Sequence, residues 1–563
     1  MGFFWTLVVL VVAMALIWRY LGSYMVAVFE GRVHYLAFIE RPIYRLLGTS
    51  PEKEQTWKRY AGSVVVFSGL SLGITYAILR LQGSLPLNPQ HLGAVPPALS
   101  WNTAASFLTN TNWQNYGGET TMSYLSQMTS LTVQQFVTPA VGIAAALVLI
   151  RGFSKKGSPT VGNFWVDVVR ALLYVLTPIA IIGGLIFVGQ GAVDTLSGPV
   201  NVHNALNGVS QTIALGPVGF MEAIKQLGTN GGGFFNINSA HPFENPTGLT
   251  NLLSLLLILC IPVSLTYMFG KMVGALRQGV AVLAAMTILF GCWVGFAVAA
   301  EHQPNPAVQA AGLTHQPTGN TEGKEVRFGV PSSALFGVTS TQTSTGSADA
   351  AYDSFTPIGG GALLTGMMMG EVTPGGVGSG MYTILIYAII AVFLGGLMVG
   401  RTPEYLGKKI QAAEVKLAGL GTLVMPITVL AVTALAVSLH AGRVAPENAG
   451  PHGFSEILYA LTSQGNNNGS AFGGLTGNTT FYNILGGIDM LIGRFGIMIP
   501  ALALGGVLAA KNPVPAGAGT FRTANPMFIG LLIGVILIIG ALTFFPALSL
   551  GPIVEQFSHG KLF

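Results

Sequence analysis

The sequence predicts an all-α polytopic membrane protein with about ten transmembrane helices. Four pseudo-repeated membrane–pore-loop–membrane units surround one pore, and an extra helix stands at each end. Three observations lead there. The 563 residues are 51% hydrophobic and 8% charged, with mean hydropathy +0.61, against about 25% charged residues in a soluble domain. Apolar windows long enough to cross a bilayer recur at 3–28, 60–82, 125–150, 164–190, 249–270, 278–300, 381–400, 419–440, 484–509 and 527–548. Between successive windows lie four turns rich in Gly, Asn, Thr and Ser, each preceded by a helical stretch too short to span.

Residues 1–29 form the extra N-terminal helix, followed by a loop carrying Arg32, Arg41, Arg45, Lys53, Lys58 and Arg59. The first unit, 60–150, holds a short helix at Leu99–Leu108 and the turn Thr109-Asn110-Thr111-Asn112-Trp113-Gln114. The second, 164–270, holds Phe220–Gln226 and then Gly228-Thr229-Asn230-Gly231-Gly232-Gly233. The third, 278–418, places Pro331 in the first turn of a helix, leading into Thr343-Ser344-Thr345-Gly346. Beyond it, Ile358–Met369 is apolar but too short to cross. The glycine-rich stretch Gly370–Gly380, with Glu371, then precedes 381–400, which reads as one outgoing helix broken inside the membrane. The alternative is an external loop with a Met-rich apolar patch. The fourth unit, 419–510, holds Phe454–Leu461 and Gly465-Asn466-Asn467-Asn468-Gly469-Ser470, and 527–548 is the extra C-terminal helix.

Non-helical backbone at membrane depth is tolerated only where it is buried or lines a wet path. Glycines let carbonyl oxygens turn inward, and carbonyls that replace a hydration shell build a cation filter. The C-terminal ends of four short helices would add favourable potential for a cation. One such turn is weak evidence. Four in register between spans outrank local propensity.

Charge placement orients the chain. The loops at 30–59, 151–163, 270–278, 401–418 and 511–526 hold 17 of the 26 Lys and Arg. The positive-inside rule puts them in the cytoplasm and both termini outside. Counting Glu371, 13 of the 21 acids fall on outer segments, which favours cation entry from that side. The net charge of +5 comes from the inner loops and is no argument for nucleic acid. Cys260 and Cys292 lie in spans, the nine histidines form no sequence cluster, and no G-x-x-x-x-G-K-[S/T] motif occurs. ATP hydrolysis by this chain alone is not expected. Oxygen donors without a thiolate or imidazole set disfavour copper and zinc, but do not choose potassium over sodium.

At Thr109–Gln114, Gly228–Asn245, Gly400–Lys409 and Gly450–Phe472 the chain resembles the family of potassium-binding, translocating subunits of the Kdp potassium-transporting P-type ATPase complex, within a superfamily of four-repeat potassium transporters. The resemblance covers essentially the whole chain. It implies a potassium filter of four strands meeting at Gln114, Gly231, Gly346 and Gly469. The oxygens would come from Asn112, Trp113, Thr229, Asn230, Gly232, Ser344, Thr345, Asn467 and Asn468. In that register a glutamine stands in the first strand where the others carry glycine, narrowing the ring into a high-affinity site.

The resemblance also implies that Arg494 is a cavity-facing charge below the filter that discourages leakage; the alternatives are a pair with Asp489 or snorkelling to the interface. Glu371 either gates and guides ions or is simply solvated. The basic segment with Arg401, Lys408 and Lys409 is either a solvated loop or a helix docking a cytoplasmic partner. The implied partners are an ATP-hydrolysing P-type ATPase, the B subunit of the complex, and two small membrane subunits, C and F, in a bacterial or archaeal plasma (inner) membrane. K+ is the transported ion, and no nucleotide binds this chain. A stand-alone potassium channel or an ion-gradient-driven transporter of the same superfamily is the alternative.

Overall fold

Ten helices long and apolar enough to cross a membrane order the computed structural model, which describes residues 2–203, 208–515 and 520–558. We number the spans and the short helices between them in chain order. The terminal span α1 is Phe3–Phe29. The first unit holds α2 Trp57–Leu81, the short α3 Pro97–Leu108 and α4 Ser126–Ser154. The second holds α5 Phe164–Gly189, α6 Gly219–Leu227 and α7 Gly248–Met272. The third holds α8 Leu276–Glu301, α9 Val330–Thr341 and the interrupted pair α10 Pro357–Met368 and α11 Ser379–Met398. The fourth holds α12 Ala412–Ser438, α13 Gly450–Gly465 and α14 Thr480–Ala509, and α15 Pro526–Leu548 closes the chain. All four short helices and the broken outgoing helix expected from the sequence are present.

Burial separates the spans by role. The outgoing spans α4, α7 and α11 are 83%, 89% and 72% buried over their most apolar windows, whereas the incoming α2 is 28% buried and the terminal α1 only 6%. Incoming and terminal helices therefore form the lipid-facing wall, and outgoing helices form the centre. Small residues allow the close central crossings, as in other membrane helix packings. A Cβ on Gly152 of α4 would meet the Gly505 carbonyl of α14 at 2.7 Å. On the periphery, α1 packs along α7, where Trp18 donates to the Thr266 hydroxyl at 2.9 Å and meets Tyr267 edge-on.

Helix starts follow local chemistry. Prolines occupy the first turn of α3, α9, α10, α13 and α15, where the missing N–H costs nothing. Thr247 and Thr250 form a reciprocal cap on α7. Among the described residues, two small antiparallel strand pairs depart from the all-helical expectation: Val200–His203 with Ser210–Ile213, and the hairpin of Glu404–Tyr405 with Lys408–Lys409. The fold also assembles a histidine site that linear spacing hides. His452 contacts Glu555 at 2.7 Å through Nδ1 and Asp353 at 2.8 Å through Nε2, with Glu456 4.0 Å away, joining the third unit, the fourth unit and the segment that follows α15.

Candidate functional site

The four short helices end in the same cap. The amides of Thr111, Asn230, Thr345 and Asn468 each reach back five residues, to the carbonyls of Ser106, Lys225, Ser340 and Ser463, at 2.8–3.1 Å. The preceding residue is left-handed in every case: Asn110 (φ 67°), Thr229 (48°), Ser344 (51°) and Asn467 (59°). This is the Schellman geometry that satisfies orphan carbonyls at a helix end. For Thr229 the conformation is costly, because a branched Cβ crowds a left-handed backbone.

The caps set the register among the turns, and they correct the first strand. The residue two beyond each left-handed position is left-handed again: Asn112 (φ 55°), Gly231 (82°), Gly346 (85°) and Gly469 (96°). Asn112, not Gln114, therefore occupies the place of the three glycines. Gln114 matches Gly233 instead, two residues further along. Sequence alignment on glycine missed this because asparagine tolerates a left-handed backbone almost as glycine does.

The turns close into a ring. A Cβ on Gly231 would run into the Thr345 carbonyl, one on Gly346 would stand 2.5 Å from the Asn468 carbonyl, and one on Gly469 would run into the Thr111 carbonyl. Gln114 completes the first-to-second contact, donating to the Gly233 carbonyl at 2.9 Å and accepting from its amide at 3.0 Å. A cavity of about 480 Å³ opens onto Asn112, Gln114, Gly231, Gly346 and Gly469, so all four turns share one mouth. The Asn112 side chain is buried there with neither amide atom hydrogen-bonded. Trp113 turns its ring away, against Ala460 and Met490, with its indole N–H on Asn115 at 2.6 Å.

The segment between α10 and α11 lies against this ring. Glu371, left-handed and 3% exposed, accepts from the Asn468 side-chain amide at 2.8 Å and from the Ser344 hydroxyl. Further along, the Gly375 backbone amide donates to the Gln342 carbonyl at 3.0 Å and the Val377 backbone amide to the Thr229 hydroxyl at 3.0 Å. A Cβ on Gly378 would collide with the Gly142 carbonyl of α4. One segment thus touches all four units. The solvated reading of Glu371 is corrected: its carboxylate is enclosed by the third and fourth turns.

Residues 8–557 match the family model of the potassium-transporting ATPase A subunit. The chain belongs to this family. It is 56% identical over 549 residues to the potassium-transporting ATPase potassium-binding subunit of Mesorhizobium japonicum, covering 96% of each chain. With the protein of that name in Methylobacterium nodulans it shares 55% identity, covering 98% of this chain and 97% of the other. The crystal structure of the potassium transporter TrkH from Vibrio parahaemolyticus shares the fold at 13% identity, with a TM-score of 0.50 over 80% of this chain and 85% of that one.

In this family member Arg494 is buried in α14 and lines a small cavity with Leu108, Gln134 and Thr138, next to the end of α3. Among the described residues no ion pair joins it to Asp489, whose two carboxylate oxygens are buried without a hydrogen-bond partner. Five residues along a helix rotate a side chain by about 140°, which sets the two on different faces. Burial also removes the snorkelling alternative.

The 401–409 segment is a hairpin rather than a docking helix. Lys408 is 1% exposed and donates to the carbonyls of Lys155, at 2.6 Å, and Lys511, so it ties basic loops together and cannot meet a partner. Arg401 and Lys409 are exposed. Sequence reading also passed over the side chains that hold the second turn, Asn110, Gln135 and Asn238. Nothing in linear spacing connects Gln135, inside a span, to a glycine almost a hundred residues away.

Proposed function

We propose that this chain binds K+ in the ring of four turns and passes it to a partner that hydrolyses ATP, the B subunit, in a complex completed by two small membrane subunits, C and F. The observation that carries the reading is the closed contact order of the ring, in which three positions permit no Cβ because the next strand's backbone fills the space. Such a ring presents backbone carbonyls and hydroxyls at fixed radius, the donor set that suits a dehydrated alkali cation. Asn112, Thr229, Asn230, Gly231, Gly232, Ser344, Thr345, Gly346, Asn467, Asn468 and Gly469 supply or shape that donor set, while Trp113 and Gln114 buttress it. The names of the high-identity relatives support potassium as the ion.

The pore units extend over 60–150, 164–270, 278–418 and 419–510, and both termini face outward, with the basic loops in the cytoplasm of a bacterial or archaeal cell. The Gly370–Gly378 segment blocks the direct route inward, and the buried Arg494 guanidinium opposes cation leakage below the ring. ATP is hydrolysed on the partner, since this chain has no nucleotide motif. Titration of the purified complex with K+, Na+, Rb+ and Cs+ tests the reading. Tight K+ binding with weak Na+ binding is expected; equal affinity for the two removes the potassium role.

A further inference from the structure

The second turn is the glycine-rich one, and side-chain amides from elsewhere hold its backbone. Gly228, Gly231, Gly232 and Gly233 have no side chains with which to pack, and glycine loses more conformational freedom on ordering than any other residue. Four donors offset this. Asn110 Nδ2 donates to the Thr229 carbonyl at 2.9 Å and Asn238 Nδ2 to the Gly231 carbonyl at 2.6 Å. Gln135 Nε2 donates to the Gly232 carbonyl at 2.5 Å and Gln114 Nε2 to the Gly233 carbonyl at 2.9 Å. Among the described residues, no side-chain amide donates to the carbonyls of 344–347 or 467–470, where the strands carry their own hydroxyls and amides.

Asn238 is the best anchored of the four. Its Oδ1 accepts from Lys225 Nζ at 2.9 Å, from the Ser347 hydroxyl at 3.1 Å and from the Ala348 amide at 3.3 Å, so it joins the second turn to the third. Lys225 is fully buried and paired with Glu222 at 2.6 Å and Glu244 at 2.8 Å. An ammonium has only donors. Its contact therefore fixes which end of the Asn238 amide is oxygen and turns the NH2 group toward Gly231. Bonded to a cation, the amide is also polarised into a stronger donor.

We propose that Asn238 is a positioning residue that sets ion selectivity: oriented by Lys225, it fixes the Gly231 carbonyl in the ring while leaving that oxygen's second lone pair for the ion. This rests on the reading of the ring as the potassium site. Without the brace, a glycine strand adapts its carbonyls to ions of other radii. Selectivity is then lost before transport is.

The test uses the purified full complex and measures half-saturating K+, Rb+ and Na+ for ion-activated ATP hydrolysis. Asn238→Asp keeps the shape and the acceptor for Lys225 but cannot donate to Gly231. Gln135→Leu removes the donor to Gly232 without adding charge. Each variant should shrink the K+/Rb+ and K+/Na+ preference by about tenfold, the scale of one hydrogen bond. Wild-type preference ratios in both variants overturn the proposal, even if maximal activity falls. If Asn238→Asp does not assemble, the ratio in Gln135→Leu decides alone. A wild-type complex with no K+ preference would instead overturn the reading of the ring itself.

Discussion

Glu371 accepts a hydrogen bond from the Asn468 side-chain amide at 2.8 Å, so the segment that interrupts the third unit's outgoing helix is fastened to the fourth turn. The Ser344 hydroxyl donates to the same carboxyl group, and one buried side chain therefore clamps two strands of the ring. Glu371→Gln replaces a carboxyl group that accepts through both oxygens by an amide with one acceptor oxygen, so one hydrogen bond worth about 0.5–1.5 kcal/mol is lost. The expected outcome is less K+ moved per ATP hydrolysed, measured by ion flux and phosphate release on the same proteoliposomes. Unchanged coupling would remove Glu371 from the gate.

Gly346→Ala and Gly469→Ala test the closed ring. A left-handed alanine costs about 1–2 kcal/mol, and each new methyl also meets the neighbouring strand's backbone. Half-saturating K+ should rise by about tenfold or more in either variant. Alanine at Gly248, where a Cβ meets nothing within 4 Å, is the control expected to behave as wild type.

Gln114 stands two residues beyond the left-handed Asn112 and closes the first-to-second contact of the ring, doubly bonded to Gly233. Gln114→Arg keeps a donor but loses the acceptor and places a cation at the shared mouth. Apparent K+ affinity should fall by about tenfold or more, and the loss should lessen at high ionic strength as screening grows. A K+ titration at two concentrations of a non-transported salt reads this directly.

His452 gives the assembly a pH signature. Burial pulls the imidazole down, but hydrogen bonds from the ring to Asp353 and Glu555 outweigh it and raise the group to about 10. A pKa raised on folding contributes stability that is complete below the unfolded value, about 6.5, and that is lost as pH rises through about 10. Glu456 beside it is pushed up to about 7 by burial and has finished ionising before that loss. Thermal unfolding of wild type and His452→Gln should differ most at and just below about pH 6.5, the difference should shrink as the pH rises, and the two curves should converge above about pH 10. A constant difference across that range would refute the charged clamp.

Lys408 and Lys409 separate scaffold from surface. Lys408→Met leaves the Lys155 carbonyl without its donor, while the Lys511 carbonyl keeps the Gly157 amide at 3.2 Å, at a cost of about 1–3 kcal/mol for the one oxygen left unsatisfied. It should lower the melting temperature. Lys409→Ala, on the exposed side of the same hairpin, should leave it unchanged within about 0.5 kcal/mol of stability.

Much of this architecture was legible in the sequence because each piece depends on a local property. Spans follow from runs of apolar residues, and the boundaries of α7 and α15 fall within a few residues of their hydropathy windows. The short helices follow from stretches too short to span that end in polar turns, with Pro331 marking the start of one. Family membership follows from the motifs around Asn110, Gly228 and Asn467. The register of the first turn was not legible, because glycine and asparagine satisfy the same left-handed backbone and only the shared five-residue cap tells them apart. Nor did the sequence reveal that Lys408 is buried, since a lysine in a basic loop looks the same whether it faces water or caps two carbonyls. Composition and local pattern determine which segments enter the membrane and which turn within it. Contacts between residues a hundred or more positions apart decide the rest: Gly469 against Thr111, Gln114 against Gly233 and Glu371 against Asn468. No single strand can close a ring, so its geometry exists only once all four units are packed.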